Sequence, residues 1–278
     1  MKLLYKFVGS KKAVTALAQG SLKFTKIDEL NDPSELIPYM NKHAVRSSLK
    51  LVRQNGYSPE QFQWLKHQEA LLRLISPETR VLSCPKTIAL ANQTLALPIY
   101  DNFEYMERQL LATISFIRSR VGVLSLTERF DSLPMWAHYG VQASGYVVQF
   151  EGLDREFERD DTGSLNVLKP VIYVQDLIGM THDPATQDNL FFTKFNDWSY
   201  EHEWRIVSAL SACKASVDGT LFLRQMMSSA ATGVICGWNV PEDDIRTLAL
   251  DLLDINPLLK VFRAKLEQGR VRINDFVS

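Results

Sequence analysis

Cysteine is scarce in this chain, and the three present, Cys84, Cys213 and Cys236, are far apart and odd in number. That excludes a disulfide scaffold and, without a Cys-x-x-Cys pair, a cysteine-based zinc site; it fits a reducing compartment. Net charge is also nearly absent, at −1, with acids and bases mixed along the length. Bulk charge therefore gives no reason to expect a polyanion binder, although a local basic groove is compatible with it. No run approaches the roughly 18 uninterrupted apolar residues that a membrane span needs. The opening Met1-Lys-Leu-Leu-Tyr-Lys-Phe-Val8 has too short an apolar segment for a signal peptide. A soluble cytoplasmic protein is the expectation, and one exported by a signal-independent system would look the same.

Several chemical signatures are missing too. There is no phosphate-loop pattern and no Gly-x-Gly-x-x-Gly, which disfavours a P-loop or Rossmann nucleotide site. Gly-x-Ser-x-Gly is absent, as is His-x-x-x-His, which removes the commonest serine-hydrolase signal and a helical zinc pair.

What is present is a 278-residue chain, 46% hydrophobic, able to bury a substantial core. Short apolar strands are expected at Leu3 to Val8, Leu22 to Thr25, Val121 to Thr127, Gly145 to Phe150, Val167 to Val174, Gly233 to Gly237, Leu259 to Ala264 and Val271 to Ile273. Helical periodicity or start signals mark Lys11 to Gln19 with Gly20 as its stop, Pro59 onward with Ser58 as N-cap, Tyr105 to Ile117, Pro134 to Tyr139 and Glu242 to Leu253. Residues 40–119 read as a mainly helical insertion in one α+β domain spanning 1–278.

The densest chemistry lies in Trp198-Ser-Tyr-Glu-His-Glu-Trp-Arg205. On an extended strand, alternate residues point the same way, so Glu201, Glu203 and Arg205 are expected on one face. Two carboxylates beside a guanidinium can raise one pKa and keep the other ionised, as acid/base or cation-stabilising chemistry requires. The plainer reading is a solvated strand edge with an ion pair.

Ser125 and Thr127, two apart on a strand, aim both hydroxyls one way. Trp136 and Tyr139 make an aromatic pair at helical spacing, either a stacking wall or core. His138 between them reads as a structural histidine. The loop Asn31-Asp-Pro-Ser-Glu35 is either an Asx-turn or a pocket rim supplied by Asn31, Asp32 and Glu35.

Taken in order, Leu4–Phe7, Leu30–Glu35, Leu124–Thr127, Met135–Tyr139 with Gly145, and Trp198–Arg205 resemble the bacterial domain-of-unknown-function family 2971, which carries no established activity. More distantly, the layout resembles the ADP-ribosyltransferase superfamily. That resemblance implies a split mixed or antiparallel β-sheet around a nicotinamide pocket and NAD as substrate. It implies that Tyr5 and Lys6 hold ribose or phosphate, with Lys6 standing where His or Arg is usual, and that Ser125 and Thr127 line the pocket. Tyr139 would flank the nicotinamide ring, and Trp136, Asn31 and Asp32 would complete the binding surface. Glu203 would stabilise the ribosyl cation, Glu201 would serve the acceptor as a base, and Arg205 would keep Glu203 ionised. The implied role is transfer of ADP-ribose to a protein or nucleic-acid acceptor, as in a toxin or phage-defence effector. Two other readings stay open: a non-catalytic ligand- or nucleic-acid-binding module, and a magnesium-dependent nuclease or hydrolase using Asp32, Glu35, Glu201 and Glu203.

Overall fold

Apolar alternation, Ser/Asn caps and a few glycines give the chain an α+β fold built on one mixed, mostly antiparallel sheet. A computed structural model describes residues 2–32, 42–75, 85–157, 165–176, 191–216, 218–226 and 230–276. Glu35, Cys84 and the loop around His182 lie outside the described residues.

The strands are β1 (Leu3–Val8), β2 (Ser21–Lys26), β3 (Val121–Thr127), β4 (Tyr146–Glu151), β5 (Leu168–Pro170), β6 (Ile172–Val174), β7 (Thr193–Phe195), β8 (Glu203–Ala209), β9 (Lys214–Ala215), β10 (Phe222–Gln225), β11 (Ala231–Cys236), β12 (Lys260–Glu267) and β13 (Arg270–Asp275). The helices are α1 (Lys11–Ala18), α2 (Lys42–Asn55), α3 (Pro59–Ile75), α4 (Ile88–Leu95), α5 (Phe103–Arg118), α6 (Leu133–His138), α7 (Leu153–Glu156) and α8 (Glu242–Ile255). The expected helix starts are realised. Ser10 Oγ accepts from Ala13 N, and Ser58 with Gln61 forms a reciprocal capping box (2.9 and 3.2 Å). No helix among the described residues is long and apolar enough to cross a membrane.

The sheet runs β13-β12-β11-β4-β1-β3-β2-β10-β9, with β8 and then β5 branching from β3. The branch exists because β3 has three partners. One edge of β3 pairs with β8 along its whole length, from Val121↔Ala209 to Thr127↔Glu203. The other edge is shared: β1 meets it at Thr127 through Tyr5, while β2 meets it at Val123 and Gly122. Between those contacts the sheet splits. Leu124, Ser125 and Leu126 have no strand partner there among the described residues.

Apolar side chains cover both faces, which is why β3 reads as an almost unbroken apolar run. On one face, Leu4, Leu124, Leu126, Val148, Val234 and Ile206 pack with the buried sides of α1 and α8. On the other, two separate clusters flank the site. Phe7, Trp136, Val147 and Ile235 lie on one side of it, and Val123, Val207, Phe191 and Phe192 on the other.

The structure departs from the expected elements in several places. The single strand expected over Val167 to Val174 is two, β5 and β6, which pair with different partners on either side of Val171. Strands β9 and β10, too short and polar to stand out, extend the far edge. The acidic segment begins as a 3₁₀ turn, Asn196–Glu201, and His202 takes a left-handed conformation (φ 45°, ψ 50°). The strand therefore starts only at Glu203.

The chain after α6 is tightly clamped. Val141, Gln142 and Ala143 all have positive φ (50°, 51° and 62°), each an unfavourable conformation for a residue with a Cβ. Backbone bonds hold this turn: Ala143 N to Trp136 O (3.3 Å), Gly145 N to Gly140 O (2.8 Å), Asn239 N to Ala143 O (3.0 Å) and Gly237 N to Gly145 O (3.0 Å). A Cβ on Gly237 would lie 2.1 Å from the Ala143 carbonyl oxygen, so the chain leaving β11 can approach this turn only with glycine at that position. Gly237→Ala should therefore destabilise the fold by about 3 kcal/mol or more, as backbone clashes do. Urea denaturation followed by circular dichroism checks this, and a loss within about 0.5 kcal/mol, the scatter of harmless surface changes, contradicts the clamp.

Candidate functional site

The split in the sheet opens a cavity of about 290 Å³. Tyr5 and Lys6 from β1, Lys23 and Thr25 from β2, and Ser125 and Thr127 from β3 line it. Tyr139, Lys194, Glu201 and Glu203 form its charged side, with Glu29 and Asn31 also on the wall. Because antiparallel partners share a face, Thr127 stands with Glu203 and Ser125 with Arg205.

Four charges form one buried network. Arg205 grips Glu203 with two bonds, Nε to Oε1 at 2.7 Å and Nη2 to Oε2 at 2.8 Å, and donates from Nη1 to the Phe191 carbonyl at 3.0 Å. Lys194 Nζ donates to Glu201 Oε2 at 2.7 Å and to Glu203 Oε2 at 3.3 Å. All four side chains are 4% exposed or less. A carboxylate or cation buried so deeply is tolerable only because each has a hydrogen-bonded opposite charge.

The two carboxylates are driven apart. Burial would raise the Glu203 carboxyl, but Arg205, Lys194 and the Ser125 hydroxyl outweigh it and hold it down to about 2. For Glu201 burial wins. Lys194 and the Tyr139 hydroxyl oppose the rise, Glu203 adds to it, and the net shift is upward. One acid is thus fixed as an anion while its neighbour is pushed toward protonation, the pattern that separates stabiliser from proton carrier.

Hydrogen bonds place the remaining groups. Tyr139, at the end of α6, donates its hydroxyl to Glu201 Oε1 at 2.6 Å. Burial and that acid raise its own pKa well above the usual phenol value. Thr127 donates to the Glu201 carbonyl at 2.5 Å and accepts from Arg129 N at 3.0 Å, so its hydroxyl fixes the turn at His202. Tyr173 accepts from Glu203 N at 2.8 Å, and burial lifts its phenol to about 12. Lys6 Nζ donates to the Ser125 carbonyl at 2.8 Å, on the stretch of β3 that neither β1 nor β2 covers. Burial pulls the Lys6 ammonium down to about 8, with Glu203 opposing.

Most of the residues singled out from sequence converge here, namely Tyr5, Lys6, Asn31, Ser125, Thr127, Tyr139, Glu201 and Glu203. Arg205 stands behind Glu203. Glu201, Glu203 and Arg205 were expected on one strand face, but only Glu203 and Arg205 share it. Glu201 arrives from the 3₁₀ turn, and Lys194 brings the two acids together. Asp32 is buried and is not part of the cavity wall.

Trp136 corrects the stacking-wall reading. It is 1% exposed, packs against Phe7 and Trp238 and donates Nε1 to the Phe130 carbonyl, so it belongs to the core. His138, which is exposed, contacts the Tyr200 hydroxyl at 3.0 Å.

Lys194 escaped the sequence reading. Its only signal is a single cation inside the aromatic run Phe191-Phe-Thr-Lys-Phe195, where burial is expected and a lysine needs an acid. Tyr173 escaped with it, since β6 and β7 hold the two side by side (Tyr173↔Lys194).

Two variants separate the carboxylates by stability. Glu203→Gln removes from the buried Arg205 guanidinium the carboxylate that grips it twice, a loss of about 3–5 kcal/mol for a broken buried pair. At about 2–4 °C per kcal/mol for a domain near this size, Tm should fall by roughly 6–20 °C. Glu201→Gln should cost less, since its charge is already disfavoured. The pH dependences also differ in sign. The depressed Glu203 stabilises above its unfolded value of 4.5, and this is lost as pH falls through about 2. The raised Glu201 opposes folding once pH rises through its folded value. Calorimetry of both variants checks this, and equal Tm losses contradict it.

Residues 135–206 match the model of a family described as "Protein of unknown function (DUF2971)". The matched segment contains Tyr139, Lys194 and the run from Glu201 to Arg205, while β1 and β3 lie outside it. No curated protein and no solved structure matches the chain.

Proposed function

We propose that the cavity at the split binds the nicotinamide-ribose end of NAD and that the protein transfers ADP-ribose to an acceptor. The observation that carries this reading is the pair Glu201 and Glu203, bridged by Lys194 and pushed to opposite protonation behaviour on one wall of a cavity that also holds lysines 6 and 23. The split itself supports the likeness to an ADP-ribosyltransferase sheet. At about 290 Å³ the cavity suits a nucleoside-sized fragment, so the adenylate end would lie outside, where exposed Lys23 can meet its phosphates.

The chemistry follows from the two acids. The glycosidic C1′–N bond breaks, its electron pair goes to the pyridinium nitrogen, and neutral nicotinamide leaves. Positive charge then develops on the ribose. Glu203, ionised at any physiological pH, faces that charge as a fixed anion that needs no reorganisation. The acceptor's oxygen or nitrogen bonds to C1′ and gives its proton to Glu201. Tyr139 orients that carboxylate, and Ser125 with Lys6 shapes the wall.

The magnesium reading asked Glu201 and Glu203 to share a metal ion with Asp32 and with Glu35, which lies outside the described residues. Here Glu201 and Glu203 share an ammonium group instead, and among the described residues no three of His, Cys, Asp and Glu converge as metal ligands.

The test is nicotinamide release from NAD, with Tm recorded for every variant. Glu203→Gln should lower the rate at least a hundredfold, the scale of losing one electrostatic stabiliser. Glu201→Gln should lower transfer by a similar factor and abolish the acidic limb of the pH–rate profile. That limb should lie above 4.5, since it reports Glu201 and not Glu203. Folded wild-type protein that shows neither thermal stabilisation by NAD nor nicotinamide release would sink the reading.

A further inference from the structure

Lys23 belongs both to the cavity wall and to the molecular surface. From it the strand register leads outward across two more strands. Lys23 of β2 faces Leu223 of β10, and Leu223 faces Lys214 of β9. Directly opposed residues of antiparallel strands share a face. One position along, Phe222 and Phe24 oppose each other and pack into the apolar cluster on the other face of the sheet. Leu223 and the two lysines therefore stand on the cavity's side.

Both lysines are exposed, and neither has an ion pair or hydrogen bond among the described residues. Two acids lie in the neighbouring turns, and both are engaged. Asp218, the one acid of the β9–β10 hairpin, accepts from Thr220 N at 3.1 Å and from Thr220 Oγ1 at 2.9 Å. Glu29, on the cavity wall, pairs with Lys26 at 3.9 Å.

Lys6 supplies a third cation at the inner end. Burial is the main cause of its lowered pKa, and the Lys23 ammonium lowers it further, so the two cations feel one another. Three ammonium groups thus follow one another from the split to the surface. Lys23 and Lys214, two strand spacings apart, are about 10 Å from each other at the backbone. Two long flexible side chains can close that span around one diphosphate.

We propose that the dinucleotide leaves the cavity across β2, β10 and β9, with its diphosphate held between Lys23 and Lys214 over the Leu223 side chain. Exposed lysines alone would attract any anion. Continuity with an enclosed cavity ties this pair to a ligand whose other end is a nucleoside. Lys214 then becomes a specificity residue, favouring diphosphate-bearing ligands over nucleosides. The placement of the nicotinamide end rests on the transfer reading above, but the diphosphate seat itself needs no turnover.

The test is calorimetric titration of the full chain at low salt with two ligands. ADP-ribose carries the diphosphate and has no nicotinamide to lose, whereas nicotinamide riboside carries the cavity-bound end and no phosphate. Wild type should bind ADP-ribose with an affinity that falls as salt rises. Lys23→Gln with Lys214→Gln should weaken ADP-ribose about tenfold, and Lys214→Gln alone about threefold, the scale of exposed charge pairs. Nicotinamide riboside, itself a cation, should bind the double variant no more weakly than wild type. Both lysines are exposed, so Tm should stay at the wild-type value. Unchanged ADP-ribose affinity in either variant overturns the proposal. So does an equal loss for the two ligands, or a folded wild type that binds no ADP-ribose. Lysine-dependent ADP-ribose binding without nicotinamide release from NAD would overturn only the transfer reading. Nicotinamide release with ADP-ribose binding indifferent to both lysines would overturn only this one.

Discussion

Buried charge is the constraint around which this molecule is arranged. Lys194, Glu201, Glu203 and Arg205 lie together at 4% exposure or less, and none could be there without the others. They come from three local settings: β7 for Lys194, a 3₁₀ turn for Glu201, and two buried positions on one face of β8 for Glu203 and Arg205. The parallel pairing of β6 with β7 and the left-handed His202 both serve to bring those settings into register. A network held this way is not evidence of great stability, because desolvation offsets much of the attraction. Its consequence is positional: two acids are fixed in one wall with different protonation tendencies.

The split in the sheet is the second half of the arrangement. A strand with one fully paired edge and one edge divided between two partners leaves backbone groups unpaired at the division, and buried backbone groups must find partners. Lys6 meets that need at the Ser125 carbonyl, so a cation enters the cavity for a structural reason. Burial lowers its pKa to about 8, which leaves it partly neutral near physiological pH.

Much of this was legible from residue order. The strands with β-branched alternation and the helices opened by Ser10, Ser58 and Pro241 lie where periodicity and capping chemistry place them. Ser125 with Thr127 and Glu203 with Arg205 each share a face, because spacing of two on a strand selects one, whereas Glu201 and Tyr139 reach the site from a 3₁₀ turn and from the end of α6. What escaped depends on tertiary context. A left-handed His202 has no sequence signal, so Glu201 was assigned to the strand face by the rule of alternation. Trp136 at helical spacing from Tyr139 reads equally as wall or core, and Phe7 and Trp238, distant in sequence, decide for core. Lys194 sits seven residues before Glu201, outside any local pattern.

That last omission bears on mechanism. Read as an isolated motif, Glu201-His-Glu-Trp-Arg205 offers one cation for two acids, and Arg205 appears shared. Lys194 brings a second cation to the two acids, and Arg205 holds Glu203 by a bidentate grip. Among the described residues Lys194 touches both acids, and its bond to Glu201 is the shorter, 2.7 Å against 3.3 Å. Any proton that reaches Glu201 therefore weakens its hold on Lys194 and leaves the ammonium to Glu203. The doubly held Glu203 then becomes still harder to protonate. The two acids are coupled so that charging one and neutralising the other reinforce each other, and that coupling needs the lysine which the strand motif does not contain.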